Sequence, residues 1–287
     1  METDSAMLHA KLKEFFGFDS FKADQERIIK HLTGGKNAFV LMPTGGGKSV
    51  IYQLPTLASD GLCIVVTPLI ALMKDQVDRL RRMGISAVAV HSGLTSRQID
   101  IALDNCVYGD VKFLYVAPER LSSEMFRLRV DRMNVSLLAV DEAHCISQWG
   151  YDFRPSYLAI AEVREYAPNA PVLALTASAT ELVAKDIMHH LRFAKEHILR
   201  SSFARPNLSY VVRDSGDKYA NLLRVINNVP GSGIVYMRTR EVAEQLAQQD
   251  HRAKSILAYQ KHLKALFRIY EDKELYTADL TEEISNV

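Results

Sequence analysis

Six short apolar runs, each followed by a stretch with helical spacing, constrain the fold of this chain more than any other feature. They occupy residues 38–42, 62–67, 87–91, 112–116, 137–140 and 172–176. Most are continuously apolar rather than alternating, which is the pattern of strands covered on both faces. Strands that alternate with helices in this way build βαβ units and a parallel sheet. The expected fold is therefore α/β, a doubly wound parallel sheet with helices on both faces. A chain of 287 residues has room for one complete domain of this kind and part of another.

The pattern changes after residue 200. Arg205-Pro206-Asn207 interrupts any helix, and an extended stretch resumes at 208–212. These signals divide the chain into a first lobe over 1–200, a linker over 201–216 and an incomplete second α/β lobe over 217–287. In that last part 218–228 reads as a helix and 233–237 as a strand. From residue 234 onward there is neither glycine nor proline, although βα turns draw heavily on both. Residues 255–270 carry Ile256, Tyr259, Leu263, Leu266, Phe267 and Tyr270 at helical spacing, which predicts an amphipathic C-terminal helix that could dock on a partner.

The strongest chemical signal is Met42-Pro43-Thr44-Gly45-Gly46-Gly47-Lys48-Ser49, set between an apolar strand and a helical stretch. Consecutive glycines let backbone N–H groups turn toward a phosphate, and the helix that follows points its positive end at the same anion. This is the P-loop context. Lys48 supplies a cation for the β- and γ-phosphates and Ser49 a hydroxyl for Mg²⁺. Met42 stands where the simple P-loop pattern has its leading glycine.

A second signal, Leu137-Leu138-Ala139-Val140-Asp141-Glu142-Ala143-His144, is an apolar strand ending in two acids. Asp141 is placed to hold Mg²⁺ through water, and Glu142 to orient and deprotonate an attacking water. An Asp-Glu pair after a strand is common by itself; together with an upstream P-loop it is specific. Immediately downstream, Trp149, Tyr151 and Phe153 could stack on unpaired bases while Arg154 meets phosphate, though aromatic clusters more often pack inside.

Composition narrows the partners. With 35 basic against 34 acidic residues, bulk charge does not hold nucleic acid, so binding depends on local patches. Cys63, Cys106 and Cys145 lack CxxC spacing and read as buried free thiols; no zinc site is expected. No apolar run is long enough to cross a bilayer and the N-terminus lacks a signal-like segment, so an intracellular protein without a membrane partner is expected.

Taken together, these motifs resemble a superfamily 2 helicase, and within it the RecQ family. Asp141-Glu142-Ala143-His144 is similar to motif II, and Thr176-Ala177-Ser178-Ala179-Thr180 to motif III, which couples hydrolysis to lobe movement. The stretches 66–76, with Thr67 and Pro68, and 116–121 are similar to motifs Ia and Ib, which touch the DNA backbone. Residues 17–25 resemble motif 0. There the resemblance implies that Gln25 reads the adenine edge and that Phe18 and Lys22 flank the base; Lys22 stands where the family usually has arginine. Residues 145–155 resemble the aromatic-rich loop of RecQ helicases, which implies DNA-binding and coupling roles for His144, Gln148, Trp149, Tyr151, Asp152, Phe153, Arg154, Thr176, Ser178 and Thr180. Tyr151 replaces the family's usual histidine. The resemblance extends over about residues 8–249.

It implies a RecA-like lobe that binds ATP and Mg²⁺ through Phe18, Lys22, Gln25, Thr44, Gly45, Gly46, Gly47, Lys48, Ser49 and Asp141. It also implies single-stranded or branched DNA as partner, 3′ to 5′ translocation, and a place on the bacterial nucleoid or elsewhere inside the cell. These residues contain no Gln-x-x-Gly-Arg-x-Gly-Arg box and none of the family's cysteine-ligated zinc module. Poor turnover by the polypeptide alone is therefore expected. A nucleotide-dependent DNA-binding module, one part of a split protein, is the alternative.

Overall fold

The computed structural model describes residues 5–22, 24–150, 152–204, 208–209, 211–212, 214, 216–229, 233–237, 239, 241–242 and 266–269. The chain divides into two compact units, Met1–Phe203 and Ala204–Val287.

The first unit is a seven-stranded, wholly parallel sheet in the order β3-β4-β2-β5-β6-β1-β7. Its strands are β1 (Ala38–Leu41), β2 (Leu62–Val66), β3 (Ala87–Val90), β4 (Phe113–Val116), β5 (Val135–Val140), β6 (Val172–Thr176) and β7 (Ile198–Arg200). Six of them fall on the apolar runs read from sequence. The seventh, β7, has only three residues and follows the polar stretch Lys195-Glu196-His197, so it carried no periodic signal. It joins the edge beside β1, and Ser201, assigned to the linker, is tied to it: Ser201 N–H donates to the Leu41 carbonyl at 3.0 Å.

Helices cover both faces. On one lie α2 (Gln25–Thr33), α3 (Lys48–Leu57) and α4 (Ile70–Arg82); on the other lie α5 (Ser96–Tyr108), α6 (Glu124–Val130), α7 (Ile160–Tyr166) and α8 (Glu181–His190). Successive strand residues feed opposite cores, as the two-residue period requires. Cys63 and Val65 pack with Ile51, Met73 and Leu80, whereas Ile64 and Val66 pack with Leu103, Phe126 and Ile187. Helix α1 (Ser5–Phe16) sets Leu8 and Leu12 against Ile29 of α2 and Leu54 of α3. Helix α3 is thus covered on two sides, which fixes the loop it starts from. All three cysteines are buried free thiols.

The second unit contains α9 (Lys218–Asn228), β8 (Gly233–Tyr236) and β9 (Leu266–Ile269). Strand β9 pairs antiparallel with β8, Tyr236 opposite Leu266. The expected C-terminal helix is corrected here for residues 266–269, which are extended; the rest of that segment lies outside the described residues. A short apolar run is compatible with either state, and pairing with a strand neighbour decides it. Arg205-Pro206-Asn207 also lie outside the described residues. No helix among the described residues is long and apolar enough to cross a membrane.

Candidate functional site

The sheet order brings the two chemical motifs together. The loop after β1 and the acids after β5 both lie at the C-terminal edge of the sheet, with only β6 between them. That spacing is two strand separations, on the order of 10 Å. The electrostatics carry the same message: Lys48 and Glu142 both act on the Asp141 carboxyl. Burial first, then the charge of Glu142, raises its pKa above the ordinary 3.8, and Lys48 pulls the other way.

The loop 42–47 has the form of an anion cradle. Gly45 and Gly47 take φ of 79° and 81°, the left-handed region that disfavours a side chain, and Gly47 leads directly into α3. Met42 is buried, its N–H donating to the Thr176 carbonyl at 3.1 Å. Its side chain fills the space below Gly46, where an added Cβ would lie 2.7 Å from Met42 Cγ. The departure from the leading glycine is therefore absorbed by the core. Thr44 is exposed on the loop, and Ser49 follows Lys48 in the first turn of α3. An amide cradle at a helix N-terminus, a lysine, a hydroxyl and a facing carboxylate fit a phosphate with its divalent cation.

Gln25, the first residue of α2, is only 3% exposed and locks this loop. Its Nε2 donates to the carbonyls of Gly46 (3.3 Å) and Gly47 (3.1 Å), while its Oε1 accepts from Lys22 N–H at 2.8 Å. Phe18 and Lys22 stay exposed, with Lys22 Nζ 6.0 Å from the Phe18 ring centroid.

At the acid tip, Asp141 N–H donates to the Val66 carbonyl at 2.8 Å and Glu142 N–H to Asp141 Oδ1 at 3.0 Å. Glu142 adopts φ 48° and ψ 47°, a left-handed conformation uncommon outside glycine and costly for a glutamate. This turn aims its carboxylate at His144, whose Nδ1 lies 3.3 Å from Glu142 Oε2 and 2.9 Å from Thr176 Oγ1. Burial holds the His144 imidazole below its ordinary pKa.

Comparison with known proteins gives this arrangement a family. The family model described as DEAD/DEAH box helicase matches residues 22–187. The chain belongs to that family.

Within the helicases its relatives are of RecQ type. It is 39% identical over 259 residues to the ATP-dependent DNA helicase RecQ of Haemophilus influenzae, covering 90% of this chain and 42% of the relative. With the Bacillus subtilis RecQ helicase the identity is 41% over 250 residues, covering 85% and 42%. The chain thus spans about two fifths of these relatives. Among solved structures, the DUF1998 helicase MrfA aligns with TM-score 0.63 at 15% identity, over 87% of this chain and 41% of that one. A hypothetical ATP-dependent RNA helicase from Sulfolobus tokodaii aligns with TM-score 0.54 at 21% identity, over 87% and 73%. Both share the helicase-lobe fold.

Around this centre the loop after Asp141-Glu142 is held by its polar side chains. Asp152 Oδ2 accepts from Arg154 Nη2 at 3.0 Å and from Cys145 Sγ at 3.6 Å, and Arg154 N–H donates to the Cys145 carbonyl at 2.8 Å. Burial works to raise the Asp152 pKa, but Arg154 outweighs it and the carboxyl stays below the usual range. Arg154, expected to meet phosphate, is therefore paired within the loop. His144, Cys145 and Asp152 are close enough to suggest a metal, yet they already bond to Thr176, Arg154 and one another. Trp149 is 70% exposed and Gln148 exposed, whereas Phe153 is half-buried; Tyr151 lies outside the described residues. Trp149 is not packed beneath the sheet.

Thr67 is buried, so its motif reaches the surface only from Pro68 onward. Thr176 is buried beside His144, Ser178 is exposed, and Thr180 caps α8 by accepting from Val183 N–H at 3.3 Å. Several residues had no sequence signal. Tyr157 OH donates to the Asp141 carbonyl at 3.2 Å. Buried His91 lies in the field of Lys74 and Arg120, and Arg120 Nε is buried with no hydrogen-bond partner. His190 is half-buried and lies 3.5 Å from Asp186, one turn earlier in α8. Tyr157 and His91 depend on partners distant in the chain, which local patterning does not reveal.

Proposed function

We propose that this chain carries the ATP-binding motor lobe of a RecQ-type DNA helicase, with residues 1–200 as that lobe, 201–216 as a linker and 217–287 as part of a second lobe. The observation that carries the reading is the sheet order, which sets the Lys48 loop and Asp141 at the C-terminal ends of β1 and β5 with only β6 between them, at the mouth of an amide cradle. Loop amides and Lys48 bind the triphosphate, while Ser49 and Asp141 hold Mg²⁺. When bound, the cation supplies charge stabilisation for phosphoryl transfer.

Glu142 orients the attacking water and accepts its proton; His144 holds the Glu142 carboxylate in place and relays its state to Thr176. Gln25 keeps its hold on the Gly46 and Gly47 carbonyls and meets the adenine edge, beside Phe18 and Lys22, with its remaining amide capacity. Single-stranded DNA stacks on Trp149 and meets Arg120 and Lys74, which follow β4 and β2 at the same edge of the sheet as Lys48. The full protein translocates 3′ to 5′ inside the cell. The 287-residue polypeptide lacks the Gln-x-x-Gly-Arg-x-Gly-Arg arginine, a kind of group worth about 10³-fold or more in rate. Alone it binds Mg·ATP and DNA but turns over slowly, which is what the nucleotide-dependent DNA-binding alternative also describes.

Titration with a fluorescent ATP analogue tests the site. Lys48→Ala removes a charge-assisted contact of about 2 kcal/mol, so affinity falls about thirtyfold. An unchanged affinity would place the triphosphate elsewhere.

A further inference from the structure

The loop after motif II has a second attachment, to helix α8, independent of its chain connection to Glu142. Ser147 is fully buried, and both capacities of its hydroxyl are in use. It donates to Asp186 Oδ2 of α8 at 2.6 Å and accepts from Trp149 N–H at 3.2 Å. The turn is otherwise rigid: Gly150 N–H donates to the Ser147 carbonyl at 3.1 Å, and a Cβ on Gly150 would meet the His144 carbonyl oxygen at 2.9 Å. Trp149, 70% exposed, is therefore carried by whatever moves Ser147.

Helix α8 begins where the β6 tip ends. Thr176 Oγ1 meets His144 Nδ1 at 2.9 Å and accepts from Ser178 N–H at 3.2 Å, and Thr180 caps the helix. These bonds close a circuit from Glu142 through His144, Thr176, α8, Asp186 and Ser147 to Trp149. We propose that Asp186 is a positioning residue, which hangs the Trp149 turn on α8 through the Ser147 hydroxyl so that the exposed ring follows the state of the residues around Glu142. The inference rests on the reading of Trp149 as a base-stacking residue. Asp186 also faces His190 at 3.5 Å, so the acceptor role must be separated from that contact.

The chain's single tryptophan provides the readout. Trp149 emission and the affinity for a labelled oligothymidine are measured in the 287-residue protein, with and without Mg²⁺ and a non-hydrolysable ATP analogue. Wild type responds to the analogue in both. In Asp186→Ala and Ser147→Ala the analogue-dependent change in affinity shrinks at least about fivefold, the lower range of coupling between sites, while affinity for the analogue itself holds. Asp186→Asn keeps an acceptor for Ser147 but loses the charge facing His190, and retains the response. The proposal is overturned if Asp186→Ala responds like wild type, if Asn and Ala lose the response alike, or if wild type shows none. Should Asp186→Ala fail to fold, Ser147→Ala, which removes one hydroxyl, decides the matter. Trp149→Ala tests the underlying reading separately: undiminished oligothymidine affinity in that variant refutes base stacking itself.

Discussion

Gly47→Ala measures how far the cradle depends on its backbone. The residue sits at φ 81°, where an L side chain costs roughly 1–2 kcal/mol. An added Cβ would lie 2.3 Å from Gln25 Nε2, so the amide must swing away and release the Gly46 and Gly47 carbonyls. Each neutral hydrogen bond contributes about 1 kcal/mol. The native loop is thus disfavoured by about 3–4 kcal/mol, and because only that geometry presents its amides to a phosphate, ATP-analogue affinity drops on the order of 100-fold or more. Gln25→Ala in the same chain removes the clashing group, leaving the backbone term and the hydrogen bonds already lost. The double variant then binds no worse than the sum of the single losses, with a coupling of about 1 kcal/mol or more from the shared contact. Calorimetric titration of the four proteins gives the cycle. Gly47→Ala binding within about threefold of wild type would refute the argument, because neither strain nor clash would then be felt.

Three further outcomes follow from the same geometry. His31, His91 and His144 are all held below 6.5, chiefly by burial, so the unfolded chain takes up more protons than the fold as pH drops below that value. Stability is therefore lost from about neutral pH downward. Asp141, raised by burial, works the other way in the lower window ending near 3.8. A melting temperature no lower at about pH 5.5 than at about pH 7.5 contradicts this. Thr95 caps α5 in a capping box with Gln98, and Thr180 caps α8; replacing either with alanine costs about 1 kcal/mol, a fall of roughly 2–4 °C on melting. Only Thr180→Ala also weakens the nucleotide response of Trp149, since α8 carries Asp186; equal responses in both variants would argue against the circuit.

Much of the first lobe was legible because its signals are local. Strands 62–66 and 172–176 are buried along their whole length, so they are apolar up to the final Thr176, and a P-loop is a contiguous string whose glycines announce its backbone. Strand β7 escaped notice because three residues carry no period, and the 266–269 segment was misread because helix and strand share the same short apolar run. The pairing of Arg154 with Asp152 carries no pattern of its own in the sequence, since it depends on how the loop turns.

By itself, then, the chain's residue order announced the parallel sheet, the cradle at Gly45–Lys48 and the acid pair Asp141-Glu142, each through residues adjacent along the backbone. Tertiary structure alone decided that Gln25 grips Gly46 and Gly47, that Tyr157 supports Asp141, and that Ser147 hangs on Asp186. Hydrogen bonds are directional over about 3 Å, whereas apolar patterning fixes only which face is inside. Which buried polar groups meet is settled once the helices have packed.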